Sequence, residues 1–381
     1  MKHFFLLPLA LTFMLVSTAC HNDYSPPSSE TSKSIPSDEQ QIALARKAWI
    51  ILSDKNRKKE WQQATDQYNK ALKVIFQRIR SENFMSEGNF DLTRERPFVI
   101  KSSVSGSDRT PTLYEDAIPC DMINTTRLME ERVFVPGIGL PIAGVVRKNN
   151  EKTKAEETSS DIIKDRGNIH TLTAILDFGG NPSSKPLLRV IPRLDIESIK
   201  IQSVEHPLAA DFSAPIALFW SKNNLKQTAL LGAFRPKKTM TYSGLYFSEP
   251  YNPEKIPVLL THGLLSSPDT FSNLVNRLLA DHEIRKHYQF WYFSYPSGIL
   301  WSRPAKKQRL ALEKLSKEYD PKGTSKTFNN MVMVGHSMGG LITRYNNATR
   351  PWDMVPRFVK NQDSMLQMNY EQAKKNNFQR P

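Results

Sequence analysis

The sequence predicts an α/β protein: a partial parallel sheet with crossover helices, preceded by a helical segment and an antiparallel β-rich domain. Three observations predict this fold class. Apolar residues recur at steps of three and four near the N-terminus, short β-branched and aromatic runs follow, and the last third alternates strand and helix. With 39% hydrophobic and 24% charged residues, the 381-residue chain can bury such a core. This composition excludes wholesale disorder and a protein with many membrane spans.

Residues 1–20 are typical of a signal peptide. Lys2 and His3 precede an uncharged apolar run over residues 4–16, which small residues follow. Such a run is too short to cross roughly 30 Å of hydrocarbon as a helix, so a permanent anchor is disfavoured. We therefore expect the chain to be exported.

Cys20 closes a segment that resembles a bacterial lipoprotein box, in which the cysteine is acylated and becomes the mature N-terminus. The resemblance implies a lipidated Cys20 and attachment to a membrane of the cell envelope. Ser17 departs from the box, which usually has an aliphatic residue there, so ordinary cleavage and a periplasmic or secreted protein stay open. A disulfide between Cys20 and Cys120 would fix little, because a flexible stretch follows Cys20.

Residues 21–38 are mostly Ser, Pro and acidic residues, which predicts a flexible tether. The pattern of a capping box at residues 37–40 and a long apolar stripe predict two helices within residues 39–86. The stripe is expected to form core, and its members are Trp61, Ala64, Tyr68, Ala71, Leu72, Ile75 and Ile79.

Residues 87–250 are predicted to form the antiparallel β-rich domain, with no catalytic constellation. Short runs rich in Val, Ile, Thr and aromatic residues alternate with Gly, Pro and Asn. The charged interval 151–167 predicts an exposed loop. Strands are expected at Phe98 to Ile100, Leu187 to Val190, Ser198 to Ile201 and Ile216 to Trp220.

The net charge of +14 would favour contact with anionic lipid or polysaccharide surfaces. Because the basic residues are spread along the chain, without a basic patch interleaved with aromatic residues, we interpret the charge mainly as solubility. No nucleic-acid motif is present, so we expect no nucleic-acid partner.

Residues 251–349 alternate strand and helix, which indicates parallel strands joined by crossover helices. The expected helix after the first strand should turn Leu274, Val275 and Leu278 inward. The predicted order is strand Val258 to Thr261, helix Phe271 to Leu279, strand Phe290 to Tyr295, helix Ala305 to Tyr319 and strand Met331 to Val334.

Ser337 follows the last of these strands and has glycine two positions before it and two positions after it, at Gly335 and Gly339. A sharp turn between a strand and a helix can expose such a serine hydroxyl above the sheet, and crowding at the turn demands glycine at both positions. His336 and Met338 complete the motif. The Met338 N–H would lie at the positive end of the following helix, where it can stabilise an oxyanion.

His262 and Gly263 follow the first strand, where a loop can contribute a second backbone N–H to an oxyanion hole. Gly263 lets this loop bend close to a substrate. His262 is interpreted as orienting the loop by hydrogen bonding, not as a general base.

The segments 257–263, 295–298 and 334–340 occur in the order seen in α/β-hydrolases. The chain resembles bacterial exported esterases and lipases of that superfamily, in the branch with lipase domains similar to those of GPI inositol-deacylases. The resemblance implies a partial α/β-hydrolase domain over residues 251–349 that acts on acyl esters or lipids. It implies that Ser337 is the nucleophile and that Leu264 and Met338 donate to the oxyanion.

No histidine follows Ser337, although the order in this superfamily is Ser, then Asp or Glu, then His. Two hypotheses stay open. The chain hydrolyses esters, either with an unconventional base among His262, His282 and His336 or as an incomplete version of a longer enzyme. Alternatively, it is a truncated, catalytically silent exported lipoprotein of hydrolase ancestry.

The strand before Ser337 is expected to lie at an edge of the sheet, which is an aggregation liability for an apolar parallel strand. The tail, residues 350–381, is of uncertain structure, and an amphipathic stretch within residues 353–370 is expected to cover part of that edge. No P-loop, H-E-x-x-H or G-x-G-x-x-G motif occurs, so no metal and no nucleotide cofactor is expected.

Overall fold

The computed structural model describes residues 37–81, 99–101, 114–146, 162–180, 185–225 and 228–347. The predicted signal peptide, Cys20, nearly all of the tether and the tail lie outside the described residues. Among the described residues, no helix is both long enough and apolar enough to cross a membrane.

Ten α-helices and fourteen strands are assigned in the described part of the chain. The helices are α1 Asp38–Ser53, α2 Trp61–Ser81, α3 Ser213–Asn223, α4 Thr228–Phe234, α5 Pro236–Thr239, α6 Ser272–Leu278, α7 His282–His287, α8 Ser302–Tyr319, α9 Lys326–Asn329 and α10 Met338–Asn347. The strands are β1 Val99–Lys101, β2 Tyr114–Pro119, β3 Phe134–Val135, β4 Leu140–Val146, β5 Ile163–Arg166, β6 Ile169–Asp177, β7 Leu187–Pro192, β8 Ser198–Ile201, β9 Val204–Pro207, β10 Ala210–Asp211, β11 Gly244–Phe247, β12 Ile256–Thr261, β13 Tyr288–Ser294 and β14 Val332–Gly335.

Helices α1 and α2 cover one face of the first five-stranded sheet, whose strand order is β1-β7-β6-β4-β2. The apolar stripe of α2 is buried as predicted, except that Trp61 is only partly buried. The Tyr68 hydroxyl donates to the Leu176 carbonyl at 2.7 Å and accepts from the Leu176 N–H at 2.6 Å, which fixes α2 to strand β6. The predicted antiparallel pairing is confirmed for this sheet except between β1 and β7, which are parallel.

The second sheet has the order β14-β12-β13-β11-β5. Strand β12 is parallel to both of its neighbours, β13 and β14, as the alternation of strands and helices predicted. Strands β11 and β5 belong to the same sheet although they precede residue 251. The predicted domain boundary at that residue therefore does not coincide with a boundary of the sheet.

Helix α3 lies between the two sheets, so the prediction of a strand at Ile216 to Trp220 is wrong. The run is buried on all sides, and a fully apolar run has no period that separates helix from strand. The Asp211 carboxylate accepts hydrogen bonds from the Ser213 and Ala214 N–H groups, which caps the helix start. Asn224 ends the helix in the left-handed conformation.

Helices α8 and α10 pack on the other face of the second sheet, against Leu259, Trp291 and Phe293. Two further predictions need correction. Residues 163–166 of the predicted exposed loop form strand β5 because Ile163 and Asp165 are buried beside β11. Leu274 of α6 points outward at 44% exposure, whereas Val275 is buried as expected.

Candidate functional site

Ser337 occupies a tight turn between strand β14, which ends at Gly335, and helix α10, which begins at Met338. Its φ of +52° lies in the left-handed region, which is rare for a residue with a side chain. Such a conformation costs about 1–3 kcal/mol and persists only where the surrounding contacts enforce it. The turn leaves Ser337 exposed at the carboxyl end of the strand.

The two glycines that flank Ser337 are required by close backbone contacts. A Cβ on Gly335 would lie 2.5 Å from the Gly339 carbonyl. A Cβ on Gly339 would lie 2.1 Å from the Thr261 carbonyl oxygen, at the end of strand β12. Both distances are far below van der Waals contact, so the crowding that the sequence predicted is present.

Hydrogen bonds fix the turn to the neighbouring strand and to its own helix. The His336 N–H donates to the Thr261 carbonyl at 3.0 Å, and the Gly339 and Gly340 N–H groups donate to the His336 and Ser337 carbonyls at 2.8 and 2.9 Å. The backbone on both sides of Ser337 is therefore held in place.

A buried amide network, which the sequence did not reveal, supports the turn from below. The Gln308 side chain on α8 donates to the Thr261 hydroxyl at 2.8 Å and accepts from the Asn346 amide on α10 at 2.7 Å. Gln308 is fully buried, and Asn346 nearly so. No short sequence motif marks these residues, because they come from elements far apart in the chain.

The loop after strand β12 lies directly against the turn. A Cβ on Gly263 would be 3.0 Å from both the Ser337 Cβ and the His336 Nδ1, so the absence of a side chain permits this approach. The Leu265 N–H donates to the Ser297 hydroxyl at 3.1 Å, which anchors the loop to the end of strand β13. No described residue accepts a hydrogen bond from the Leu264 or Met338 N–H.

His262 is fully buried and engages both ring nitrogens. The Tyr295 N–H donates to Nε2 at 3.3 Å, so Nδ1 carries the proton and donates to the Gly263 carbonyl at 3.0 Å. The ring stacks on Tyr295 with centroids 4.3 Å apart, and the Tyr295 hydroxyl donates to the His262 carbonyl. Burial lowers the pKa of His262 to about 4, which keeps the imidazole neutral near pH 7. These contacts favour the interpretation that His262 orients the loop.

His282 lies far from Ser337. It begins helix α7, which leads into the amino end of strand β13, and its Nδ1 is 2.7 Å from a Glu197 carboxylate oxygen. Because β13 has seven residues, its ends are roughly 20 Å apart, and the Ser337 turn is at the opposite end of the parallel strands. His336 is adjacent to Ser337 and exposed.

Strand β14 pairs only with β12 among the described strands, as predicted for an edge. Val332 is 42% exposed there, although valine is usually buried in a parallel sheet. Strand β14 thus offers an open hydrogen-bonding edge within the described part of the chain.

Cys120 is buried and forms no disulfide with another described residue, and burial raises the pKa of its thiol. No group of three or more His, Cys, Asp or Glu side chains in the described segments is placed to hold a metal ion. Comparison of the chain with protein-family models, curated proteins and solved structures found no match.

Proposed function

We propose that this chain is a serine hydrolase of the α/β-hydrolase type that acts on acyl esters or lipids through Ser337. The observation that carries the proposal is the strained turn: Ser337 holds φ +52° between a buried parallel sheet and a helix, with its side chain exposed. Strain of this kind is expected where a reactive side chain must be presented to a substrate.

The chemistry follows from the groups around the turn. The Ser337 hydroxyl would attack the acyl carbon and form a tetrahedral intermediate whose oxygen is negatively charged. The N–H groups of Leu264 and Met338 are the proposed donors to that oxygen, since the Gly263 loop adjoins Ser337 and neither amide is used by a described residue. The Met338 N–H adds the positive end of helix α10.

The attack also needs a base that takes the hydroxyl proton. His262 is poorly suited because both of its nitrogens form hydrogen bonds, and His282 lies near the opposite end of the parallel strands from Ser337. His336 remains of the three histidines that the sequence suggested as bases. Without a working base, catalysis would fall to roughly 10³- to 10⁴-fold over water, which the oxyanion donors and binding alone can supply.

The alternative function is a catalytically silent exported protein. The engaged nitrogens of His262 and the distance of His282 from Ser337 favour it. In that case the Ser337 turn would be retained from a hydrolase ancestor without serving catalysis. Export and lipidation of Cys20 stay predictions under both alternatives.

A fluorophosphonate probe separates the two functions. We expect covalent labelling of the full chain at Ser337, loss of labelling in Ser337→Ala, and unchanged labelling in Ser203→Ala, which removes an exposed serine hydroxyl from the turn between β8 and β9. Peptide mapping by mass spectrometry identifies the labelled residue. A folded wild-type protein that is not labelled at Ser337 would favour the silent protein.

His336→Gln extends this test to the base. If His336 takes the proton from Ser337, the variant is labelled far more slowly than wild type while circular dichroism stays unchanged. Equal labelling rates would eliminate His336 as the base.

A further inference from the structure

Helix α4 exposes large apolar side chains on one face. Phe234 is 77% exposed and Leu230 65% exposed, and Leu231 also faces solvent. Positions 230, 231 and 234 lie on the same side of a helix. A seven-residue helix has little stability of its own, so packing of its opposite side must hold it in place.

That opposite side packs on the loop after strand β13. A Cβ on Gly232 would be 3.3 Å from the Pro296 Cα, and the Gly298 N–H donates to the Gly232 carbonyl at 2.9 Å. The packing of Gly232 therefore fixes the orientation of α4, which leaves its apolar side chains on the side that faces solvent.

The same loop also contacts the loop after strand β12, which adjoins the Ser337 turn. Its Ser297 hydroxyl accepts from the Leu265 N–H, and Leu264 and Leu265 are 54% and 51% exposed. Five exposed apolar side chains thus lie on two adjoining elements beside the candidate site. We call this set the apolar rim: Leu230, Leu231, Phe234, Leu264 and Leu265. A group of large exposed apolar side chains on neighbouring elements is typical of an interaction site.

Cations follow the apolar rim directly in the chain. Arg235, Lys237 and Lys238 are exposed, and none of them forms an ion pair with a described carboxylate. The sequence from residue 228 to residue 247 contains no acidic residue. The surface therefore combines protruding apolar side chains with uncompensated positive charge.

We propose that the apolar rim docks on the surface of an anionic phospholipid bilayer. Phe234 and the leucines would enter the boundary between headgroups and acyl chains, and the three cations would contact anionic headgroups. A purely apolar protein partner would leave these cations without counter-charges, whereas an anionic bilayer satisfies both parts of the surface. Docking brings the Ser337 turn to the lipid and does not itself use the Ser337 hydroxyl.

The test measures binding of the full chain to two kinds of vesicle by sedimentation. One kind is phosphatidylcholine alone, and the other is phosphatidylcholine mixed with phosphatidylglycerol. Every protein tested, including the reference called wild type, carries Cys20→Ser, so that no lipid attached to Cys20 can bind the vesicle. The N-terminal residues are identical in all of them and therefore contribute equally to vesicle binding. Wild type is expected to bind the mixed vesicles more tightly, and added salt is expected to weaken that preference.

Two variants remove the two parts of the surface. Phe234→Ser is expected to weaken binding to both kinds of vesicle about tenfold, because the aromatic side chain of Phe234 is no longer buried in the bilayer. Lys237→Glu with Lys238→Glu is expected to weaken binding to the mixed vesicles on the order of a hundredfold, and to change binding to neutral vesicles little.

Matched controls come from the other end of the described chain. Ile50→Ser removes an apolar side chain that is 44% exposed on α1, and Lys58→Glu with Lys59→Glu makes the same charge change in the turn before α2. Both controls should bind as wild type does.

The proposal is overturned if controls and rim variants weaken binding equally, or if wild type binds neither vesicle. It is also overturned if wild type self-associates through the rim, so that Phe234→Ser converts a dimer to a monomer. Because Ser337→Ala should still bind, failure of the proposed hydrolysis is distinguishable from failure of docking.

Discussion

At the scale of single residues, the candidate site depends on where the backbone can tolerate a Cβ. Ser337 accepts a left-handed φ of +52° with a side chain, while its flanking glycines avoid contact with main-chain carbonyls. The strain at Ser337 and the crowding at Gly335 and Gly339 have the same origin. A strand, a turn and a helix are joined within five residues beside a second strand.

Gly339 and Gly340 give a matched pair of substitutions. Gly339→Ala should lower the free energy of unfolding by about 1–3 kcal/mol, because its Cβ would overlap the Thr261 and His262 carbonyl oxygens. Gly340→Ala should be neutral or stabilise by roughly 0.5–1 kcal/mol, since its Cβ would lie 3.5 Å from the nearest neighbour, the Gly335 oxygen, and alanine favours the helix. Urea denaturation measures both. Equal effects of the two substitutions would contradict the close packing at Gly339.

At the scale of elements, helices α8 and α10 are aligned on strand β12 by polar contacts as well as by apolar packing. Gln308 bridges the Thr261 hydroxyl and the Asn346 amide, and all three residues are buried. The Arg309 guanidinium adds hydrogen bonds to the Tyr345 and Asn346 carbonyls at the end of α10. Helix α10 is therefore fixed at both ends.

Gln308→Leu tests how much this bridge contributes. The substitution keeps the approximate size of the side chain but makes it apolar. It removes a hydrogen-bond partner from Thr261 and from Asn346, at a cost of about 1–3 kcal/mol for each group. We expect a clear fall in the denaturation midpoint. Leu310→Gln, at a position of the same helix that is 45% exposed, should change stability by less than about 0.5 kcal/mol. A stable Gln308→Leu protein would show that the bridge contributes little.

At the scale of the whole molecule, layers of helix and sheet alternate. Helices α1 and α2 cover the first sheet, α3 lies between the sheets, and α8 and α10 cover the second sheet. The aromatic side chains Phe219 and Trp220 of α3 contact Tyr292 of the second sheet. Buried ionisable groups within this assembly link its global stability to pH.

His262 makes that link testable. Its pKa is about 4 in the folded protein, below the ordinary value of 6.5, because burial disfavours the charged imidazole. Between these two values the unfolded chain binds the proton more readily, so stability is lost as the pH falls through this window, by up to about 3 kcal/mol.

His262→Gln should therefore lose less stability than wild type between about pH 7 and about pH 5, since glutamine does not titrate. Its amide oxygen can still accept from the Tyr295 N–H. Burial also raises the pKa of Glu249, so that this group makes stability rise as the pH falls, opposite to the effect of His262. Both proteins contain Glu249, so the quantity compared is the difference in free energy of unfolding between wild type and variant, measured by urea denaturation at each pH. A difference in stability that does not vary with pH would contradict the lowered pKa of His262.

The local sequence determined much of this architecture. Three features were predictable: the apolar stripe of α2, the parallel strands β12, β13 and β14, and the glycines around Ser337. The spacing of apolar residues, the alternation of strands and helices along the chain, and the crowding at a tight turn are all properties of short stretches of sequence. The hydrolase assignment itself rests on these motifs and stays a proposal.

Tertiary structure decided what local pattern cannot encode. It made residues 216–220 a helix, since a run buried on all sides has no informative period. It also paired β5 with β11 of the second sheet across a large distance in sequence. It also determined that Gln308 and Asn346 meet beneath Ser337 and that the apolar rim adjoins the same site. Such contacts join residues far apart in the chain, and their free energy depends on the folded geometry and not on sequence neighbours.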